Sequence, residues 1–219
     1  MNKRFLIALI LLLLLSTYQI QDSFKFSSKS KIEKIVVKNN IIIDDLEVKE
    51  RLSYLYETNL FFLKEKEIEN RLKVLDFIES FRIKKIYPNE IIITIYEKEP
   101  VAIIQNKREK KYYTNKGEVI NFIKIKSFDN LPLVFGDEKN FKIFYNNLRK
   151  NNFPIEEIKI FHLFNSKRWD FVTRKNQTIK LPLKNYSQSL KNFISIKDQA
   201  NFEQYKTFDY RINDQLILK

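Results

Sequence analysis

The sequence contains no cysteine. That removes disulfides, thiolate metal sites and a cysteine nucleophile at once. Glycine is nearly missing, with only Gly117 and Gly136 present, so a Gly-rich phosphate-binding loop cannot be built. His162 is the single histidine, and a multi-histidine metal site or a histidine-based catalytic pair has almost nothing to draw on. Hydrolysis would need a nucleophile with its base, or paired carboxylates in a concave site. The carboxylates Glu47, Glu50, Glu65, Glu67 and Glu69 instead fall on helix faces among lysines, the pattern of a solvated surface. No cofactor, metal or catalytic residue is expected.

Acidic residues are outnumbered, 27 against 40 Lys and Arg, for a net charge of +13. Such a balance invites a nucleic-acid reading. The lysines, however, are spread along the whole chain and interleaved with glutamate rather than gathered in one block. Abundant Lys, Asn, Ile, Phe and Tyr suit an AT-rich coding bias. Nucleic acid is therefore not an expected partner, while a mild attraction to anionic lipid or an acidic partner is compatible with the charge.

One long apolar run stands out: Phe5, Leu6, Ile7, Ala8, Leu9, Ile10, Leu11, Leu12, Leu13, Leu14 and Leu15, extended by uncharged residues to Gln21. Lys3 and Arg4 precede it and Asp22 closes it. Two readings compete. A spanning helix needs roughly 20 apolar residues, and 5–21 reaches the low end. A signal peptide has a basic start, an apolar core of roughly 7–15 residues and a small-x-small cleavage site. The core length fits, but 16–20 offers no Ala-x-Ala-like triplet. Burial in a soluble core is a poor third. The positive-inside rule places Lys3 and Arg4 in the cytoplasm. Lys25, Lys29 and Lys31 weaken the asymmetry, yet the short tail still favours the bulk of the chain outside.

The remaining residues, about 200, allow one large or two small domains. Residues 22–31 are polar and serine-rich and read as a linker. Ile32–Lys38 is β-rich. Asp44 and Glu47 make a helix-capping pattern, followed by an apolar stripe at Val48, Leu52 and Leu55. A second helix shows Ile68, Leu72 and Leu75 at the same spacing. Phe77–Ile86 and Glu90–Glu97 read as strands around a Tyr87-Pro88-Asn89 turn. The unit is β-α-α-β-β, with both helices packed on one face of a small sheet. Beyond Pro100 the texture changes to short strands, among them 101–104, 119–123, 131–136 and 178–181. Turns fall at Asn115-Lys116-Gly117 and Asn176-Gln177. Helices are expected at 141–151 and 185–199, and a closing strand at 207–218. Alternation puts His162 on one face with Ile158 and Ile160, a core position, and makes Trp169 a core anchor. The fold class is α+β: one membrane helix, a small α/β unit, then a mostly antiparallel β domain with flanking helices.

This order of elements resembles the bacterial cell-division FtsQ/DivIB family. The resemblance rests on Ile35-Val36-Val37-Lys38-Asn39-Asn40, Asn59-Leu60-Phe61, and Tyr87-Pro88-Asn89 followed by EIIITIYEKEPVA. Asn115-Lys116-Gly117-Glu118-Val119, Leu131-Pro132-Leu133-Val134-Phe135-Gly136, Arg168-Trp169-Asp170-Phe171 and Phe208-Asp209-Tyr210-Arg211 continue it in order. Three departures stand out: the tail is only Met1–Arg4, Asn176-Gln177 replaces a Gly-containing turn, and Gln215 lacks the small residue often found there.

The resemblance implies a non-enzymatic, single-pass scaffold of the divisome in the bacterial inner membrane at the division septum. It implies residues 1–4 as cytoplasmic tail, 5–21 as uncleaved anchor, 22–31 as linker, 32–99 as a POTRA domain and 100–219 as a β domain in the periplasm. It further implies that the last strand receives a segment of FtsB, itself held with FtsL, by strand addition. Mapped by order, that strand is Asp209, Tyr210, Arg211, Ile212, Asn213, Asp214, Gln215, Leu216, Ile217 and Leu218, with Tyr210, Ile212 and Asp214 on one face setting specificity. Lys167, Arg168 and Arg211 are the expected charge contacts. Other division proteins such as FtsK, FtsW and FtsI would meet the POTRA domain. The alternatives are an enzyme released by signal cleavage and another POTRA-bearing envelope assembly protein. The helices expected after residue 140 leave no run of barrel strands for the latter.

Overall fold

The computed structural model describes residues 3–17, 30–107, 109–212 and 215–219. Helix α1, Lys3–Thr17, has no polar stripe, and its large apolar side chains between Phe5 and Leu15 are 43–72% exposed. Fifteen residues rise only about 22 Å, short of the roughly 30 Å hydrocarbon layer. Among the described residues no helix is long and apolar enough to cross a membrane. Tyr18–Gln21, the rest of the expected span, and residues 22–29 of the expected linker lie outside the described residues.

The chain divides into two compact units, Met1–Glu97 and Lys98–Lys219. In the first, β1 (Lys34–Lys38), α2 (Asp45–Arg51), α3 (Glu65–Leu72), β2 (Ile78–Ile86) and β3 (Glu90–Glu97) follow in the expected β-α-α-β-β order. The sheet order is β1-β3-β2, with β3 parallel to β1 and antiparallel to β2. The isoleucine-rich β3 takes the centre because only a central strand has both edges paired and one face fully covered. Its Ile91, Ile93 and Ile95 are completely buried, as are Val48, Leu52, Ile68 and Leu72 from the helices. The first apolar stripe is buried as expected, but α2 stops at Arg51 and a 3-10 turn, Ser53–Glu57, carries Leu55 inward. Asp44 caps α2 by accepting from the Leu46 amide at 3.0 Å. Glu47 does not complete a reciprocal capping box; its carboxylate lies 3.5 Å from Arg51. At the far end of β3, the Glu97 carboxylate accepts from the Ile41, Ile42 and Ile43 amides at 2.8–3.0 Å.

The second unit holds one nine-stranded sheet. Its strands are β4 (Pro100–Asn106), β5 (Glu109–Thr114), β6 (Val119–Asn121), β7 (Leu133–Phe135), β8 (Ile158–Leu163), β9 (Trp169–Thr173), β10 (Thr178–Lys180), β11 (Thr207–Asp209) and β12 (Ile217–Leu218). The spatial order is β12-β11-β10-β9-β8-β7-β4-β5-β6. The sheet is mixed: β4–β7, β7–β8 and β10–β11 are parallel, and the other pairings are antiparallel. Helices α4 (Glu138–Lys150) and α5 (Tyr186–Ile196), with the short α6 (Ala200–Glu203) after them, supply the helical layer. Phe141, Phe144, Tyr145 and Leu148 form the buried stripe of α4, and Leu190 and Phe193 that of α5. The core is aromatic. Trp169 stacks on Phe144 at 4.7 Å, and Phe193 meets Phe208 edge-on at 5.3 Å. Gly136 lets this packing close: an added Cβ would stand 3.0 Å from both Leu163 and Trp169.

Two sequence expectations are corrected here. His162 is exposed rather than core, between the rings of Phe135 at 5.8 Å and Phe164 at 4.8 Å. A register irregularity between Ile158 and Ile160 breaks the alternation, so Phe161 turns inward and is fully buried. A bulge inserts one unpaired residue and exchanges the faces beyond it. The closing segment 207–218 is also not one strand. It forms β11, leaves the sheet after Asp209, and returns antiparallel as β12, with Phe208 opposite Leu218 and Asp209 opposite Ile217.

Candidate interaction edge

Among the described residues no group of three or more His, Asp and Glu side chains could hold a metal ion. The helix carboxylates Glu47, Glu50, Glu65 and Glu67 are exposed, as the sequence predicts. Attention therefore falls on backbone edges, where unpaired amides and carbonyls can bind another chain.

β12 is one such edge. Thr207 and Lys219 exchange both backbone hydrogen bonds, at 2.9 and 3.1 Å. In an antiparallel ladder the groups of successive residues alternate inward and outward. The amide and carbonyl of Leu218 therefore face away from β11, and its side chain packs against the aromatic core. Of the ten residues expected to line a receiving strand, Ile217 and Leu218 are in the edge strand itself, and Asp209 belongs to the inner strand β11. Tyr210 continues inward: it is 6% exposed and donates its hydroxyl to Asn192 Oδ1 at 2.8 Å. Burial pushes that phenol far above its ordinary value, and the little of Tyr210 that shows lines the groove beside α5. Ile212 is exposed, and Gln215 donates its amide to the Ile212 carbonyl at 3.3 Å. Asn213 and Asp214 lie outside the described residues. Leu216 is half-buried and, with Ile212, Ser189 and Asn192, lines a groove of about 410 Å³ between α5 and the returning segment.

The charges beside this edge are already partnered. On the sheet face opposite the helices, Asp170, Lys180 and Asp209 stand in register across β9, β10 and β11. Arg168 holds Asp170 with two bonds, at 3.1 and 3.3 Å, and lies over the Phe164 ring at 4.6 Å. Arg211 grips Asp209 through Nε at 2.8 Å and Nη2 at 2.6 Å. Hydrogen bonds from Arg211 hold the Asp209 carboxyl below its usual range, against the opposing effect of burial. Lys167 sits in the exposed turn before β9, in the left-handed region at φ 66°. The internal pairing of Arg168 and Arg211 was readable in principle. Arg-x-Asp and Asp-x-Arg on strands put both groups on one face, because the side-chain period is two. The groove was not readable, since Ser189 and Leu216 come together only through the fold.

Comparisons with known proteins bear on both units. The family described as "POTRA domain, FtsQ-type" matches residues 30–98. That described as "Cell division protein FtsQ/DivIB, C-terminal" matches 102–211, stopping before β12. The chain is similar to the cell division protein FtsQ of Rickettsia typhi, 26% identical over 211 residues, covering 94% of this chain and 77% of that one. It is likewise similar to FtsQ of Rickettsia felis, 26% identical over 212 residues with 94% and 79% covered. The match to FtsQ of Rhizobium meliloti is 23% identical over 192 residues, with 86% and 62% covered.

Proposed function

The chain belongs to the FtsQ/DivIB family of cell-division proteins, and we propose that it serves the division machinery as a membrane-anchored scaffold that binds partners by strand addition. The family is non-enzymatic, and the chain is not an enzyme. The observation that carries the binding mode is β12, a two-residue strand ending a nine-stranded sheet, with the Leu218 amide and carbonyl facing outward. A partner segment would pair there through its backbone, and side chains near Ile212, Leu216 and Ile217 would select it. The partners are FtsB and FtsL, with FtsK, FtsW and FtsI as further neighbours of the first unit. Arg168 and Arg211 already serve internal aspartates, and Lys167 lies close enough to Asp137 to act on its carboxyl, so recognition would rest on backbone pairing more than on these charges. The all-round apolar surface of α1 supports an anchor in the inner membrane at the septum, with both folded units on the periplasmic side.

Strand addition makes a distinguishing prediction. Leu218→Pro removes the outward amide, while Leu218→Ala removes only side-chain packing. In pull-downs with full-length chain, FtsB and FtsL reconstituted in one membrane, Leu218→Pro should weaken capture by about tenfold or more, or about 1.4 kcal/mol. Leu218→Ala should lose less, with near-ultraviolet circular dichroism unchanged in both. Equal capture by wild type and Leu218→Pro would move the site away from β12.

A further inference from the structure

Three aromatic side chains stand out of the first unit at one end. Phe61 is 48% exposed, Phe62 75% and Tyr87 58%, and the Phe61 and Tyr87 rings lie 5.2 Å apart. The local backbone explains the exposure. Asn59 accepts from the Phe61 amide at 2.9 Å and starts a 3-10 turn, Leu60–Phe62, that buries Leu60 completely. With Leu60 pointing inward, the next two rings are left outside.

This is the end at which the chain enters the unit. The Ser30 carbonyl accepts from the Leu60 amide at 2.8 Å, and Lys31 bridges to Asn59. The Glu33 amide donates to the Asn89 carbonyl at 2.8 Å, beside the Tyr87–Asn89 turn. The chain leaves at Glu97, the other end of β3, roughly 25 Å away at the ordinary strand rise. Between Thr17 and Ser30 lie twelve residues, 18–29, whose reach cannot exceed about 40 Å. The apolar α1 therefore joins the first unit at its aromatic end, and the link is long enough for that end to meet the membrane.

We propose that Phe61, Phe62 and Tyr87 rest in the interfacial layer of the lipid membrane that holds α1. The inference rests on the anchored reading above. Aromatic rings favour the headgroup level, where an apolar body and a polar rim are both satisfied. Three of the nearby lysines are offset by carboxylates. Lys31, Lys34 and Lys64 each lie beside a carboxylate, at 3.4 Å from Glu57, 3.3 Å from Glu90 and 3.5 Å from Glu67. The contact orients the first unit with its entering end on the lipid and Glu97 away from it.

The absence of cysteine permits single-site labelling. A fluorophore on Phe62→Cys is compared with one on Ile41→Cys, a fully accessible position beside Glu97. The full-length chain is placed in phosphatidylcholine vesicles carrying headgroup nitroxides. Quenching is expected several-fold stronger at 62 than at 41, and to persist at high salt. A second label, on Lys64→Cys, leaves all three rings in place; its quenching should fall when Phe62→Ser is added. Equal quenching at 62 and 41 in vesicles that float with the protein overturns this inference alone. A label at 62 that is shielded yet unquenched by lipid indicates a protein neighbour and also overturns it. Failure of the chain to float with the vesicles overturns this inference together with the anchored reading.

Discussion

Glu97 ends β3 with one carboxylate facing three successive amides. Glu97→Ala leaves those donors to water, with a loss of about 1–3 kcal/mol expected for charge-assisted bonds. It should show as faster hydrogen exchange at the Ile41, Ile42 and Ile43 amides, with β2 and β3 protected. Asp209 is the other residue whose charge matters. Its carboxyl is held below the usual range by Arg211, so the pair contributes fully above about pH 4, the ordinary aspartate value. That contribution is lost as pH falls through the lower folded value. The wild-type denaturation midpoint, followed by Trp169 fluorescence, should therefore fall more steeply between about pH 5 and 3 than that of Asp209→Asn. Matching slopes would show that Asp209 titrates alike in folded and unfolded chains. Neither role was singled out from sequence. Glu97 lies 54 residues from Ile43, and a charge at a strand end usually reads as solvated.

Elements were legible where local pattern and tertiary demand agree. Helix α4 begins where Asp137 accepts from the Asn140 amide at 2.9 Å, and its four buried residues follow the 3.6 period. Asp137→Ala should cost about 1 kcal/mol, measured by denaturation with Trp169 fluorescence, because Phe144 of α4 stacks on that ring. An unchanged midpoint would show that packing alone sets the helix start. Two elements were misread. In β8 the bulge reverses which face is buried, and His162 goes outside. The closing segment was expected as one strand, but Tyr210 follows β11 into the core and Ile217 comes back on a separate strand. Period-two patterns report faces only while the register is unbroken.

At the scale of the whole molecule the decisive features are edges and tethers. The long edge strand β2 carries Arg82, Lys84 and Lys85, charges of the kind that discourage strand pairing. The edge strand β12 is short, two residues long. A partner held there would bury little surface, so capture should depend on both chains sharing one membrane, which raises their effective concentration. That dependence belongs to the Leu218 comparison: the difference between Pro and Ala should be read with the partners co-reconstituted.

The sequence by itself determined the absence of thiol and glycine-loop chemistry, the apolar start, the β-α-α-β-β unit and the aromatic stripes, because each is local in composition or period. The resemblance to FtsQ/DivIB was also readable there, carried by short motifs in order. Only the tertiary structure decided that the chain returns to β11 as β12 with the Leu218 amide and carbonyl outward, that Arg168 and Arg211 answer internal aspartates, and that Phe61 meets Tyr87 beside the entering chain. These depend on pairings between residues far apart in sequence, and a broken register or a returning strand leaves no periodic trace.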